Sequence, residues 1–303
     1  MQIGFIGLGT MGHPMAINLQ RSCGSLMVWN RTPEKCTELV MAGAAVAITA
    51  RDVLRSCKTT ILMLSSSDAI DEVLERDTPE FTLNVQGRII VNMGTVAPED
   101  STALRHAIRV AGGEYVEAPV SGSKKPAEAG QLVAMLAGTP AAVAVIEPLL
   151  QPMCSTSVVC GDVPNALLMK FAINVYLITT VTGLAESIHF ARAYGLDMEK
   201  YLSILNAGQL SSPISRVKAP KMIERDFTVQ ASIVDVLKNN TLISDAARQA
   251  GISSPLLDIC HTLFSKTLAA GRARDDMAAV ITALEQEEEP RGLSTEQGDG
   301  SRR

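Results

Sequence analysis

A lysine and an asparagine four residues apart, Lys170 and Asn174, form a pair that could act on one small group. Mostly apolar residues surround them, which is typical of a helix that packs into a core. The spacing puts the ammonium and the amide on one helix face. Partial burial would lower the pKa of the lysine toward the range that suits acid–base catalysis. The alternative is an edge lysine whose stem covers apolar surface while its charge stays in water.

A second polar segment follows a predicted strand that ends at Ala118. Here Ser121, Gly122 and Ser123 offer two hydroxyls and several main-chain N–H groups in one turn. Such a concave turn suits a carboxylate, although an ordinary polar turn has the same composition. A third candidate, Lys238, lies on a later predicted helix and by its sequence alone is typical of any solvated lysine.

The strongest motif is a glycine-rich loop between the apolar run Ile3–Ile6 and a predicted helix over residues 11–19. In a GxGxxG loop the first glycine permits a tight turn and the second lets the main chain approach a pyrophosphate. The third lets the helix pack against the strand, and the phosphates sit on N–H groups at the helix start. The motif predicts a dinucleotide site formed by Gly7, Leu8, Gly9, Thr10, Met11 and Gly12.

The residues after the second predicted strand, Leu26–Trp29, indicate which dinucleotide is bound. Dinucleotide folds place the residue that contacts the ribose about 20 residues beyond the glycine loop. Here Asn30, Arg31 and Thr32 provide no carboxylate for a ribose 2′-hydroxyl, whereas Arg31 can pair with a 2′-phosphate. We therefore expect NADP(H) rather than NAD(H).

Two further predicted strands end in residues that could contact the cofactor. Leu64 and Ser65 end one of them, and Thr95 follows the other. Ligands of open parallel sheets bind at the carboxyl ends of the strands, so we expect cofactor contacts at these positions. Residues of this type also serve as helix N-caps.

The predicted strands and helices that must position these groups divide the chain into two domains. Strands alternate with helices up to Val159, which predicts a doubly wound, Rossmann-type α/β sheet. From Asn165 helical periods run almost to Leu284 and predict an all-helical second part. We expect an NADP-binding domain over residues 1–163, a helical substrate and oligomerisation domain over 164–285, and a disordered charged tail over 286–303.

Composition and charge limit the classes of function that this chain can have. A chain of 303 residues with a net charge of −5 can fill two domains and shows no basic field for nucleic acid. Its six cysteines and four histidines are dispersed, so we expect reduced thiols, a cytoplasmic location and no metal site. The apolar stretch 171–185 contains Asn174 and predicts no membrane span. Because a strand is predicted at the very start, we expect no targeting peptide.

With these residues the chain resembles the β-hydroxyacid dehydrogenases, and within them the glyoxylate/succinic semialdehyde reductases. The resemblance extends from residue 1 to about 284 and is carried by GFIGLGTMGHPMAINL, VWNRTPEKCTELVMAGA, CKTTILMLS, PVSGSKKPAEAGQL and the helix around Lys170. It implies NADPH, a Rossmann domain, a helical domain, and a dimer or tetramer built through the helices.

The resemblance also implies roles for individual residues. Lys170 matches the catalytic lysine of the family and Asn174 the asparagine beside it. Ser121, Gly122 and Ser123 match the loop that binds the substrate carboxylate. Lys238 matches a lysine that closes on the cofactor from the other domain.

Four residues depart from the family pattern. Glycines are usual where Pro164 and Ala166 stand, a second asparagine where Val175 stands, and an aspartate where Asn239 stands. The changes before and within the helix alter how it begins and approaches the nicotinamide. Asn239 removes a negative charge beside Lys238.

Together these features predict an NADPH-dependent reductase of small carboxylate-bearing aldehydes or keto acids, with Lys170 as general acid and base. Two alternatives stay open: an imine reductase of the same superfamily and a catalytically silent NADPH-binding oligomerisation module. Imine-reducing relatives commonly carry another residue at the lysine position, and silent relatives lack the lysine. The presence of Lys170 therefore favours the carbonyl reductase.

Overall fold

The structure, a computed structural model, describes residues 2–285, so the predicted tail over 286–303 lies outside the described residues. Contacts divide the chain into two compact units. Among the described residues, one unit comprises 2–178 with Lys238–Leu257, and the other comprises Thr179–Leu237 with 258–285. This division differs from the predicted boundary after residue 163. The reason is that the start of the long helix at Asn165 and the segment Lys238–Leu257 belong with the sheet.

A nine-stranded sheet forms the centre of the first unit. Its strands are β1 Ile3–Ile6, β2 Leu26–Trp29, β3 Ala45–Val46, β4 Thr59–Leu62, β5 Ile89–Asn92, β6 Glu114–Glu117, β7 Val120–Ser121, β8 Leu132–Ala137 and β9 Cys154–Gly161. Strands β1 to β6 are parallel in the order β3-β2-β1-β4-β5-β6. The chain reverses its direction of progress between β1 and β4, where dinucleotides bind in such sheets. The predicted Rossmann-type fold is therefore confirmed.

The far end of the sheet departs from a uniformly parallel arrangement. Strand β8 pairs antiparallel with β6 and β7 and parallel with β9. The alternation of apolar runs and helices predicts that strands exist but does not specify their direction. The short β7 was not predicted at all, because two residues carry no periodicity.

The helices of the first unit connect the strands. They are α1 Gly12–Cys23, α2 Thr37–Met41, α3 Ala50–Ser56, α4 Ser67–Leu74, α5 Glu80–Val85, α6 Pro98–Val110, α7 Lys124–Glu128 and α8 Pro140–Leu150, followed by α9 Asn165–Ala193, which starts in this unit. Helices α5, α7 and α8 were not among the predicted elements. Two are too short to show a helical period, and α8 contains an internal proline, Pro148.

Alternation along the strands builds a core on each side of the sheet. Phe5 and Val91 belong to one buried cluster, while their neighbours Ile6 and Ile90 belong to the other. Successive side chains of a strand point to opposite faces, so continuous apolar strands are needed when both faces are covered. The second cluster includes Ala166 and Leu167, which are fully buried in the first turn of α9.

The second unit is helical, as predicted. Its helices are the second half of α9 from Thr179 onward, α10 Met198–Ala207, α11 Pro213–Glu224, the start of α12 Ile233–Gln249, the main part of α13 Pro255–Ala269, and α14 Ile281–Glu285. A buried ion pair lies inside it, with Lys218 Nζ 2.7 Å from Asp276 Oδ1. The same carboxylate accepts main-chain N–H bonds from Gln230, Ala231 and Ala278.

Helix α9 combines length with low polarity. It is the one helix in residues 2–285 whose length and composition would suffice to cross a membrane, with a mean hydropathy of 1.5 over its most apolar window. Several of its apolar side chains, including Phe171, Ile178 and Val181, are buried inside the protein. The core helix of a globular protein has the same properties.

Candidate active site

The glycine loop after β1 differs in its packing from one glycine to the next. Gly7 adopts a φ of 100°, a conformation that side chains disfavour. A Cβ atom on Gly12 would lie 1.9 Å from the Gly7 carbonyl oxygen, so helix and loop pack without space for a methyl group. A Cβ atom on Gly9 would meet no atom within 4 Å. The chain is therefore closed around the first and third glycines and open at the second.

Asn30 holds this loop from the end of the neighbouring strand. Its Oδ1 accepts the Leu8 N–H at 2.9 Å, and its Nδ2 donates to the Thr32 carbonyl at 2.9 Å. The amide thus links the glycine loop to the segment that carries Arg31. This supporting role was not predicted from the sequence, because the partners are 22 residues apart.

A cavity of about 710 Å³ opens beside the loop. Arg31 and Thr32 line it, as do Leu64 and Ser65, and Lys35 adds a second cation that the sequence analysis did not single out. Arg51 also lines the cavity, but its guanidinium is paired with Glu75. Among the described residues, Arg31 and Lys35 have no ion pair, so they are the basic groups of the wall available to an anion.

The loops after β4 and β5 are joined by a lysine distant in the sequence. Lys238 Nζ donates hydrogen bonds to the main-chain oxygen of Ser65 and, at 2.7 Å, to that of Thr95. Gly94 lies against this junction, where a Cβ atom would be 2.4 Å from the Leu64 carbonyl oxygen. Three predicted cofactor contacts, Ser65, Thr95 and Lys238, are therefore brought together by the fold.

Lys170 and the serine loop are also joined. The Lys170 Nζ atom donates a 2.6 Å hydrogen bond to the carbonyl oxygen of Val120, the residue before Ser121. The lysine side chain is buried, and burial lowers its pKa from 10.5 to about 8. Asn174, one helical turn further along α9, is buried as well. The edge-lysine interpretation is therefore wrong, since the ammonium lies inside the protein.

The serine loop is held in a conformation that exposes its tip. Gly122 adopts a φ of 131° and is exposed, while Ser121 and Ser123 are half-buried. Behind the loop, Asn18 Nδ2 donates to the carbonyl oxygens of Ala127 and Glu128 and so holds α7 against α1. The two hydroxyls therefore stand on a turn whose base is tied to the sheet unit.

A buried carboxylate lies at the start of α9 and was missed by the sequence analysis. Glu117, the last residue of β6, is fully buried and accepts a 2.5 Å hydrogen bond from Ser101 Oγ. Its other oxygen accepts the Leu167 N–H at 3.3 Å. Burial raises the pKa of Glu117 to about 7. The only sequence signal was a charged residue inside an apolar strand.

Over residues 2–285 no three histidine, cysteine, aspartate or glutamate side chains are grouped so that they could hold an ion. Each of the six cysteines is a free thiol.

Two family profiles match the chain. The profile of the NAD binding domain of 6-phosphogluconate dehydrogenase matches residues 2–161. The profile described as NAD-binding of NADP-dependent 3-hydroxyisobutyrate dehydrogenase matches residues 165–284.

Named relatives extend over nearly the whole chain. Glyoxylate/succinic semialdehyde reductase 1 of Arabidopsis thaliana is 33% identical over 94% of this chain and 98% of its own length. The 2-hydroxy-3-oxopropionate reductase of Escherichia coli K12 is 30% identical over 94% of this chain and 97% of its own. The solved structure of Psf3 in complex with NADP+ and 2-OPP is 26% identical, has a TM-score of 0.84, and covers 93% of this chain and 99% of its own.

Proposed function

The chain belongs to the β-hydroxyacid dehydrogenase family, and from that premise we propose that it is an NADPH-dependent reductase of small aldehydes or keto acids that carry a carboxylate. Glyoxylate and succinic semialdehyde are the substrates of first choice. The observation that carries the proposal is the hydrogen bond from Lys170 to Val120, because it puts the buried ammonium beside the serine loop.

The glycine loop fits the diphosphate of a nicotinamide dinucleotide. Open space at Gly9 would let the main chain approach the phosphates, and α1 begins three residues later at Gly12, where the partial positive charge of a helix start favours an anion. When bound, the cofactor supplies the hydride that reduces the carbonyl carbon. Leu64, Ser65, Thr95 and Lys238 would border it from the neighbouring strand ends.

Arg31 supports NADPH as the preferred form. It lines the cavity beside the loop together with Lys35, and its guanidinium can pair with a 2′-phosphate in two parallel hydrogen bonds. Asn30 is committed to Leu8 and Thr32, and no carboxylate stands at the end of β2 to accept a ribose 2′-hydroxyl.

Lys170 is suited to donate the proton. With a pKa of about 8 it is mostly protonated at neutral pH, yet it releases its proton far more readily than an exposed lysine. The proton passes from Nζ to the alkoxide oxygen as the carbonyl becomes an alcohol. Before transfer, the positive charge of the buried ammonium stabilises the negative charge that develops on that oxygen.

Asn174 and the serine loop orient the substrate. Asn174 lies on the same face of α9 as Lys170, where its amide can hydrogen-bond the reacting oxygen. The hydroxyls and N–H groups of Ser121, Gly122 and Ser123 would hold the substrate carboxylate. Fixing both ends of a short molecule is positioning catalysis, which favours acids with few carbons between the two groups.

The experiment that tests this proposal follows NADPH oxidation with short 2-oxo acids, semialdehydes and cyclic imines. We expect turnover with aldehyde or keto acids, and a loss of several orders of magnitude in Lys170→Ala with NADPH affinity retained. Turnover of imines alone would identify an imine reductase. NADPH binding without oxidation across the panel would identify a silent module. Near-normal turnover in Lys170→Ala would remove the lysine from the mechanism.

We further propose a cytoplasmic homo-oligomer, dimeric or tetrameric. Free thiols support a reducing compartment. Large apolar side chains such as Tyr176 on α9 and Ile204 on α10 are mostly exposed, which supports a helix-mediated interface. Light scattering coupled to size exclusion measures the mass, and fractionation of the native host measures the location.

A further inference from the structure

The first turn of α9 has its free N–H groups bound by groups of the sheet unit. The Asn165 N–H donates to the Asp162 carbonyl at 2.8 Å, and the i→i−4 bonds of the helix itself begin with the Leu168 N–H, which donates to the Pro164 carbonyl at 3.1 Å. Between them, the Leu167 N–H donates to the Glu117 carboxylate at 3.3 Å, and the Ala166 N–H lowers the pKa of the same carboxyl group. A helix start is a partial positive charge, so a buried anion there stabilises the helix end.

The same helix face carries the proposed proton donor. Leu167, Lys170 and Asn174 follow each other at intervals of three and four residues, which is one stripe of a helix, and all three are buried. A group that fixes the main chain at Leu167 therefore fixes the origin of the Lys170 side chain one turn later.

On its other side Glu117 is continuous with the loop after β5. The Ser101 hydroxyl lies between Glu117 and the Tyr115 hydroxyl, at 2.5 and 2.8 Å. Asn92 Nδ2 donates to the Tyr115 hydroxyl at 3.2 Å, and Asn92 Oδ1 accepts the Gly94 N–H at 2.9 Å. Gly94 precedes Thr95, whose carbonyl oxygen accepts Lys238. One buried hydrogen-bonded path thus joins the start of α9 to a proposed cofactor loop.

From this path we propose that Glu117 is a positioning residue whose ionised carboxylate anchors α9, and with it Lys170 and Asn174, to the strand-end loops of the sheet. The assignment rests on the proposed function, because it concerns the placement of the proposed proton donor. Glu117 acts through the helix main chain and is not itself a catalytic residue.

Burial and the neighbouring groups shift the pKa of Glu117 in opposite directions. Burial raises the pKa of its carboxyl to about 7, whereas the Ser101 hydroxyl, the N–H groups of Leu167 and Ala166, and the Arg105 guanidinium lower it. Tyr115 on the same strand and the Cys160 thiol on β9 are the other titratable groups that face it, and the charge of Glu117 raises the pKa of both. Protonation on acidification would weaken the anchor at the helix start.

Hydrogen exchange of the cofactor-free protein tests the anchor without activity. We compare wild type, Glu117→Gln and the control Glu114→Gln at about pH 6 and about pH 8, corrected for intrinsic exchange rates. Glu114 lies on the same strand and accepts from the Thr139 hydroxyl, away from α9. Expected are greater protection of the Ala166–Leu168 amides at the higher pH in wild type and control, and loss of that difference in Glu117→Gln. An unchanged Glu117→Gln overturns the proposal.

Kinetics test the consequence for Lys170. We expect the pH profile of kcat for the wild type to have an acidic limb, in which kcat falls on acidification through about pH 7. In Glu117→Gln this acidic limb should be absent and kcat should be about tenfold lower, with the KM for NADPH unchanged. Glu117→Asp should restore part of the acidic limb and part of kcat. If Glu117→Gln fails to fold, Ser101→Ala tests the proposal in its place. Loss of the Ser101 hydrogen bond should raise the pKa of Glu117 and so move the acidic limb to higher pH. A limb that no variant moves overturns the proposal.

The two proposals fail separately. Altered hydrogen exchange in a protein that reduces no carbonyl would refute the reductase and keep the anchor. Carbonyl reduction with exchange and pH profile indifferent to Glu117→Gln would keep the reductase and refute the anchor.

Discussion

The Lys170 ammonium lies 2.6 Å from the main-chain oxygen of Val120, on a strand 50 residues away in sequence. This bond joins the first helix beyond the sheet to the segment that leads into Ser121. It also explains how a charge is accommodated in the interior: the ammonium has a hydrogen-bond acceptor but its pKa is lowered by burial alone. The following predictions start from this arrangement.

The pH dependence of reduction should report the protonation of Lys170. Since the proton donor must carry its proton, kcat for carbonyl reduction is expected to fall above about pH 8. Lys170→Arg keeps the charge but does not release a proton, so it should lose most activity and this basic limb. Lys58→Met, an exposed lysine before β4, serves as the control. A basic limb retained in Lys170→Arg would assign it to another group.

The burial of Lys170 should also make the stability of the protein depend on pH. Folding lowers the pKa of Lys170 from 10.5 to about 8, so between these values the unfolded chain binds more protons than the folded one. Stability from this residue therefore rises as pH increases from 8 to 10.5. Lys170→Met should gain up to about 3 kcal/mol over wild type below pH 8, less the cost of the unpaired Val120 oxygen. Urea unfolding at several pH values measures whether the difference shrinks at alkaline pH.

Substitutions at two glycines should separate folding from cofactor binding. Gly9→Ala adds a methyl group that meets no atom of the chain, so the thermal midpoint of the cofactor-free protein should be retained. NADPH affinity should nevertheless fall, on the order of tenfold or more, because the methyl group occupies the approach of the pyrophosphate. Gly12→Ala should lower both, since its methyl group would overlap the Gly7 carbonyl oxygen. Unchanged NADPH affinity in Gly9→Ala would place the diphosphate elsewhere.

Cofactor preference should depend on Arg31. Arg31→Ala is expected to raise the KM for NADPH by about tenfold to a hundredfold, with little change for NADH, because only NADPH carries the 2′-phosphate. Lys35→Ala should have a smaller effect of the same sign. Arg109→Ala, an exposed arginine on α6 outside the cavity, provides the control. Equal effects of Arg31→Ala on the two cofactors would contradict the NADPH assignment.

The ion pair of Lys218 and Asp276 should be essential for the helical unit. Both side chains are at most 2% exposed, and Asp276 additionally binds three main-chain N–H groups. Asp276→Asn leaves the ammonium without its counter-charge and should cost about 3–5 kcal/mol of unfolding free energy. Lys200→Ala, which removes an exposed ion pair with Asp197, should change stability little. Thermal unfolding of the two variants makes the comparison.

Much of the proposed cofactor site could be predicted from the sequence. Gly7, Gly9 and Gly12 follow a strand and precede a helix, and the residues after β2 stand at the spacing that local geometry dictates. These are short-range relations, in which residue type and separation determine what the main chain can do. The helical periods from Asn165 onward follow the same logic, and the structure confirms the fold class that they predict.

Other features depended on residues that meet only in the folded chain. The antiparallel β8, the contact of Lys238 with Ser65 and Thr95, and the Glu117 carboxylate at Leu167 all join distant segments. A charged residue inside an apolar strand or helix does not by itself indicate which distant group it will bind.

The sequence by itself thus determined the glycine loop, the strand that leads into it and the helical second part, because these rest on local spacing and periodicity. Tertiary structure alone decided that Lys170 and Glu117 are buried and which groups bind them. The pKa of each depends on its surroundings, which come from segments far apart in the chain.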